Sequence, residues 1–250
     1  MKVPNPRSSA GALACLLLLL TAFFTTAPAA PPARAVSPGE TNLGMSYGDW
    51  SAAYWQWAYS IPFEENPLLD LSGAQCAVGQ SRSGEPTPVF FLASVHENAL
   101  PGSPAFNQVT RNCTVPAESY LLVPLISFAC VDTPDEPDLI PPDEAELRAC
   151  VSWAGNQIAV DSLHLRVDGK PVQGARRLGK FRAQSPAFGF TLPEDSLLVY
   201  SGRFTGLSDG YWVMLEPLPP GVHTVHFGGS LIFDDGLSFG QDVTYTLTVE

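Results

Sequence analysis

Gly44, Ser46 and Gly48 spell G-x-S-x-G, the sequence of a nucleophile elbow that holds a reactive serine at the top of a sheet. That chemistry needs a strand running into the serine and a helix leaving it. Residues 46–60 do read as a helix, but the preceding VSPGETNLG is no strand, and too little chain comes before it to build a sheet. Ser46 has a second use. It stands three residues before Asp49 at the head of an apolar-periodic run, which is the spacing of a capping box, and a carboxylate there suits the positive end of the helix dipole. The expectation is a helix cap and not a nucleophile. Aspartates and histidines follow Ser46 in triad order, but with 25 acidic residues in the chain that order carries little information. Asp70 and Glu97 are the acids a hydrolase would draw on.

The four histidines are His96, His164, His223 and His226. The HTVH stretch resembles a metal pair until the strand period is applied: residues 223 and 226 differ by an odd number and face opposite sides of a regular strand. His164 and His226 meet only if strand register brings them together. Oxygen-rich loops at Asp132, Asp135, Glu136 and Asp138, and at Asp234–Asp235, have the chemistry calcium prefers, without EF-hand spacing. A structural calcium ion is the one cofactor such loops suit; no other is expected. Six basic residues crowd residues 166–182: Arg166, Lys170, Arg176, Arg177, Lys180 and Arg182. Either they pair with the acids of residues 132–146 inside the fold, or Arg176, Arg177, Lys180 and Arg182 line a groove for an acidic glycan or a phosphate. No Gly-rich phosphate loop accompanies them.

Three of the five tryptophans fall within residues 50–57. Helical spacing puts Trp50, Tyr54, Trp57, Ala58 and Ile61 on one face, which reads as core. Trp55 and Tyr59 form a second stripe, left over once the first is buried, and are the candidates for a sugar-stacking surface. Pro62 ends this helix. A second helix is expected over residues 143–153, with Leu147, Cys150, Val151 and Ala154 on one face.

The rest of the chain is strand and turn. PVFFLAS and SYLLVPLISFACVD read as strands, the second carrying Pro124 at an edge or a bulge. From residue 160 the period changes to two, and Asp168–Gly169 makes a hairpin turn. Further strands lie in SPAFGFTLP, LLVYSGRF, GYWVMLEPLPPGVHTVHFGGSLIF and DVTYTLTVE. Short strands at about ten-residue intervals indicate a mainly β protein: an antiparallel β-sandwich, immunoglobulin-like or jelly-roll-like, with two packed helices.

Residues 1–35 read as a secretory leader, with Lys2 and Arg7 before an apolar run and an A-x-A site at Ala33–Ala35. A cut after Ala35 leaves residues 36–250 as a single domain holding 10 basic and 25 acidic residues, a net charge of −15. That charge repels nucleic acid and anionic membranes. No second apolar run reaches the length of a membrane span. The four remaining cysteines, Cys76, Cys113, Cys130 and Cys150, favour disulfides in an exported chain. Three connectivities are open; Cys76–Cys113 with Cys130–Cys150 is expected because each closes a moderate loop. A secreted or periplasmic location follows.

The segments YGDWSAAYWQWAYSIP, NPLLDLSGAQCAVGQ, RNCTVP, SPAF and DGYWVMLEPLPPGVHTVHFGG, in that order, resemble a family of uncharacterised exported bacterial proteins. The resemblance implies export and one architecture; it implies no activity and transfers no functional residue. The functional expectation is an exported, non-catalytic binding or structural module of the cell envelope or extracellular space, with a glycan or envelope component as partner. A hydrolase acting on envelope carbohydrate or ester is the alternative.

Overall fold

The computed structural model describes residues 31–82, 85–86, 88–96, 106–133, 142–198, 200–233 and 238–250. Helix α1 (Tyr47–Ser60) forms where the spacing predicts it. Ser46 caps it: the Ser46 hydroxyl accepts from Asp49 N, and the Asp49 carboxylate accepts from Ser46 N. The Ser46 hydroxyl also donates to the Asp49 carboxylate, and this bond, with the one from Ser46 N, holds the Asp49 carboxyl below its ordinary range. Eleven of the fourteen helix residues are buried, so this helix is enclosed on nearly every side. Helix α2 (Glu144–Asn156) starts on a second capping box, from Asp143 and Glu146, and runs three residues past the expected end.

The strands are β1 (Ser81–Arg82), β2 (Glu85–Pro86), β3 (Val89–Phe91), β4 (Phe106–Val115), β5 (Tyr120–Val131), β6 (His164–Val167), β7 (Lys170–Pro171), β8 (Arg182–Gln184), β9 (Phe188–Leu192), β10 (Gly202–Leu215), β11 (Gly221–Ile232) and β12 (Ser238–Val249). β1 and β2 pair only with each other. The first large sheet runs β3-β5-β10-β8, with β9 also on β10; the second runs β4-β12-β11-β6-β7. Mainly β is therefore right, but purely antiparallel is not. β3 lies parallel to β5 and β4 parallel to β12, so both sheets are mixed. Each parallel neighbour joins a strand it does not follow directly in the chain, a pairing that local spacing does not encode.

The helices do not share a side. Ser208 of β10 meets Ser51 of α1, whereas Leu207 clusters with Leu147 and Val151 of α2. Successive strand residues point to opposite faces, so α1 and α2 flank the first sheet. The second sheet packs onto it through β11 and β12 against β5. Pro124 sits in a central strand and is tolerated at a bulge: Ile126 pairs with Tyr211 and Pro124 with Trp212, leaving Leu125 extra. The carbonyls freed there are taken by the buried Gln241, whose Nε2 donates to Pro124 O (2.7 Å) and Leu125 O (2.9 Å).

β4 is a ten-residue strand that the sequence does not announce, and Arg111 is the reason. It occupies an inward position and is fully buried. Its guanidinium donates to the carbonyls of Asp70, Ala93 and Ser94 and to the Tyr245 hydroxyl. A charge among inward residues breaks the apolar alternation that marks a strand. Burial raises the Tyr245 hydroxyl above the tyrosine range, although nearby Arg111 pulls it back.

Both expected disulfides are present, Cys76–Cys113 and Cys130–Cys150. The first ties the loop after α1 to β4; the second ties β5 to α2. Residues 1–30 of the expected leader lie outside the described residues. Ala33 and Ala35, on either side of the expected cut, are knitted into the fold: Gln173 N donates to Ala33 O, Glu216 N to Arg34 O, and Ala35 N to Gln173 O. Among the described residues no helix is long and apolar enough to cross a membrane.

Candidate functional site

A cavity of about 260 Å³ opens where the apolar run of β5 ends at Ser127, Phe128 and Ala129. Its walls include Trp55 and Tyr59 of α1, the end of β5, Leu231 and Gln241 of the second sheet, and the segment Ser94–Val95–His96 after β3, with Leu68 and Leu198 beside them. α1 positions the two aromatics because its period places them one turn apart, beside the face that carries Trp50, Tyr54 and Trp57. Trp55 and Tyr59 are both buried, at 7% and 4% exposure, so they form a cavity wall and not an open platform. Their rings lie 5.2 Å apart, and Tyr59 stacks in turn on Phe190 at 4.7 Å, which fixes the wall from behind. At the rim Phe233 stacks with the exposed Trp153 of α2 at 5.4 Å, and Phe128 is 37% exposed.

The polar groups of this cavity are mostly committed. Ser94 shares two hydrogen bonds with the Tyr54 hydroxyl (2.8 and 2.9 Å), and Gln241 accepts from Val95 N while its amide serves the β5 bulge. Among the described residues, the Trp55 indole N–H is buried and has no hydrogen-bond partner. Leaving a buried donor unpaired costs ~1–3 kcal/mol.

The basic run divides. Arg176, Arg177 and Lys180 are exposed around a shallow hollow of about 400 Å³ with Gly174 and Phe181. Arg182 is elsewhere and engaged: its Nε and Nη2 hold both carboxylate oxygens of the buried Asp209 at 2.9 and 2.8 Å. Those hydrogen bonds raise the Arg182 guanidinium above its usual range. Gly155 of α2 lies over this pair, where a Cβ would stand 2.6 Å from Arg182 Nη2 and 2.7 Å from Asp209 Cγ. Among the described residues the acid that Arg182 pairs with is Asp209 of β10, which sequence spacing does not suggest; Asp135, Glu136 and Asp138 of the expected acidic partners lie outside the described residues.

The remaining candidates separate the same way. Ser46 is the helix cap. Asp70 turns its own loop, accepting from Ser72 N, Ser72 Oγ and Gln75 N. Burial raises its carboxyl, but these hydrogen bonds together outweigh that and leave it below the ordinary carboxylate range. His223 is buried between Asp168 Oδ2 (2.9 Å) and Pro219 O (2.8 Å), pinning the β6–β7 hairpin. His96 lines the cavity. Asp132 clips the end of β5 to Thr205 of β10. Glu97, Asp135, Glu136, Asp138, Asp234 and Asp235 lie outside the described residues, and with them most of both acidic loops proposed for calcium. No family model matches the chain, and no curated protein or solved structure matches it.

Proposed function

We propose that the chain is an exported, non-catalytic binding module that takes a small, mostly apolar molecule into the cavity walled by Trp55 and Tyr59. The unpaired Trp55 N–H carries this reading. A ligand with one hydrogen-bond acceptor would satisfy that donor while its apolar body covers Phe128, Leu231 and the aromatic wall, which is the usual design of a small-molecule site. A glycan fits less well: a sugar ring needs several hydrogen-bond partners, and Ser94 and Gln241 are already engaged. An acyl-bearing envelope component fits better. Export to the envelope or extracellular space, membership of the resembling bacterial family, and a sandwich of immunoglobulin-like or jelly-roll-like type belong to the same proposal. The paired disulfides support export. The hydrolase alternative gains nothing, since Ser46 and Asp70 are both spent on local turns.

The test is displacement of the apolar fluorophore N-phenyl-1-naphthylamine by octanoate. Octanoate is expected to displace it in the native chain, and Trp55→Phe, which keeps a ring but removes the donor, to weaken octanoate about tenfold, the worth of one such bond. Fluorophore binding that octanoate does not compete away, or an affinity unchanged by Trp55→Phe, overturns the reading.

A further inference from the structure

We propose that His164, His226 and Asp242 form a binding site for a divalent transition-metal ion of the zinc class on the outer face of the second sheet. Strand register builds the site. β11 pairs with β6 so that Gly228 faces His164, and with β12 so that Gly228 faces Asp242. His164, Gly228 and Asp242 therefore lie in one row across three strands. His226 stands two residues from Gly228 and so on the same face. Gly228 leaves the middle of the row without a side chain, and the flanking groups reach toward each other over it. A Cβ there would stand 2.7 Å from His164 Cε1 and 2.0 Å from Gln241 O.

The three ligand atoms, one from each residue, all lie within 4.8 Å of one another. Asp242 Oδ1 is the shared vertex: it is hydrogen-bonded to His226 Nε2 and lies 3.5 Å from His164 Nε2. Ligand atoms held ~2.0–2.1 Å from a tetrahedral zinc ion are ~3.3 Å apart, so this edge needs little adjustment. The two imidazole centroids are 4.7 Å apart.

The hydrogen bonds behind the ligands set them for a cation. His164 Nδ1 lies 3.2 Å from Ser162 O, an acceptor, so the proton of the neutral ring sits on Nδ1 and Nε2 presents its lone pair. That Nε2 is buried and has no hydrogen-bond partner. It therefore faces a carboxylate oxygen lone pair to lone pair, an arrangement that a cation between them relieves. A proton on His226 satisfies Oδ1 but leaves His164 unmet; a metal ion serves all three at once. Asp242 Oδ2 is held from outside by Gln108 Nε2 at 3.3 Å, from the next position in the same row on β4. Among the described residues Arg166 is the cation beside the site in register, opposite His226, and its guanidinium is turned to Gly169 O. Two imidazoles with one carboxylate suit zinc and its neighbours and not calcium, which takes oxygen ligands. With side-chain exposures of 22–38%, the ligands leave further coordination positions for water. Leu231, Phe239 and Gln241 point to the opposite face of the same sheet, into the cavity, so this site stands or falls independently of the binding reading above.

The experiment is a titration of chelator-treated full-length protein with Zn²⁺, followed by calorimetry, and with Co²⁺, followed by its visible absorption. One equivalent of Zn²⁺ is expected, with Co²⁺ giving the intense bands of a tetrahedral site. His226→Gln and Asp242→Asn, both at partly exposed positions, should keep the native circular dichroism and weaken binding more than about 100-fold, and Gln108→Ala about tenfold. Substoichiometric binding, or binding that survives both ligand substitutions in folded protein, overturns the proposal.

Discussion

On β5, residues 121–126 are buried without a break, and on β10 so are residues 206–215, whereas along β12 from residue 241 to 249 buried and partly exposed side chains alternate. The first sheet has a helix on each face, as the divergence of Ser208 and Leu207 shows, so both sets of side chains are covered. Among the described residues the second sheet is covered on its inner face only. The difference decides where chemistry can sit. In the first sheet it is confined to the place where the buried run stops, at Ser127, Phe128 and Ala129, and there the cavity forms. In the second sheet every alternate residue is available, and polar side chains from β4, β12, β11 and β6 meet in rows.

The largest expected effect of this difference falls on Trp212. It is fully buried in β10, with its ring 5.0 Å from that of Tyr54 on α1. Trp212→Ala should cost ~3–5 kcal/mol, the range for emptying a large aromatic site in a core that closes only in part. Urea unfolding followed by circular dichroism measures it. A cost below ~1 kcal/mol would mean that α1 is not held against β10, and the contrast between the sheets would fail.

A middle-sized effect separates burial from hydrogen bonding at Tyr54. Burial pushes its hydroxyl well above the usual tyrosine range, against the lowering effect of its bonds to Ser94. A raised group contributes stability in full below its unfolded value, ~10 for tyrosine, and loses it as pH climbs toward the folded value. At pH 7, Tyr54→Phe should cost ~1–2 kcal/mol, because Ser94 N–H and its hydroxyl lose their partner. At pH 11 the unfolded native chain ionises this tyrosine and the variant has none to ionise, so the gap should shrink by about 1.4 kcal/mol for each pH unit above 10. Paired unfolding curves at the two pH values read this out, and a gap that stays constant would place the hydroxyl in contact with water.

These contrasts explain what was legible in the sequence. α1 was, cap and faces included, because its signals lie within a few residues: Ser46 before Asp49, and aromatics at helical spacing. The hairpin at Asp168–Gly169 was too, since both residues adopt the positive φ (52° and 70°) that the turn requires. β4 was hidden by Arg111, whose burial depends on carbonyls from residues 70, 93 and 94 and on Tyr245. The cavity was half visible. Helical spacing leaves Trp55 and Tyr59 over from the main helix face, but it does not show that β5 and the second sheet close over them. Of the metal site the sequence offers only the pair His164 and His226, with nothing to test whether they meet: bringing them together with Asp242 takes the register of three strands and a glycine between them, and the HTVH pair that attracts the eye is divided between two faces.

The smallest effect is the sharpest test of the one-sided sheet. Thr246 lies on the outer face of β12, opposite Thr224 of β11 and beside Asn112 of β4, while its neighbour Leu247 points inward and is fully buried. Thr246→Ala gives up one β-branched side chain on a partly exposed surface and should change stability by no more than ~0.5 kcal/mol. Leu247→Ala, one residue along the same strand, should cost ~2–5 kcal/mol. The ratio of the two costs measures how one-sided the sheet is, free of differences in strand or position. Should Thr246→Ala cost more than ~1.5 kcal/mol, the outer face is covered in solution. A cost that grows with protein concentration would then identify the cover as a second copy of the chain, since only association makes stability depend on concentration.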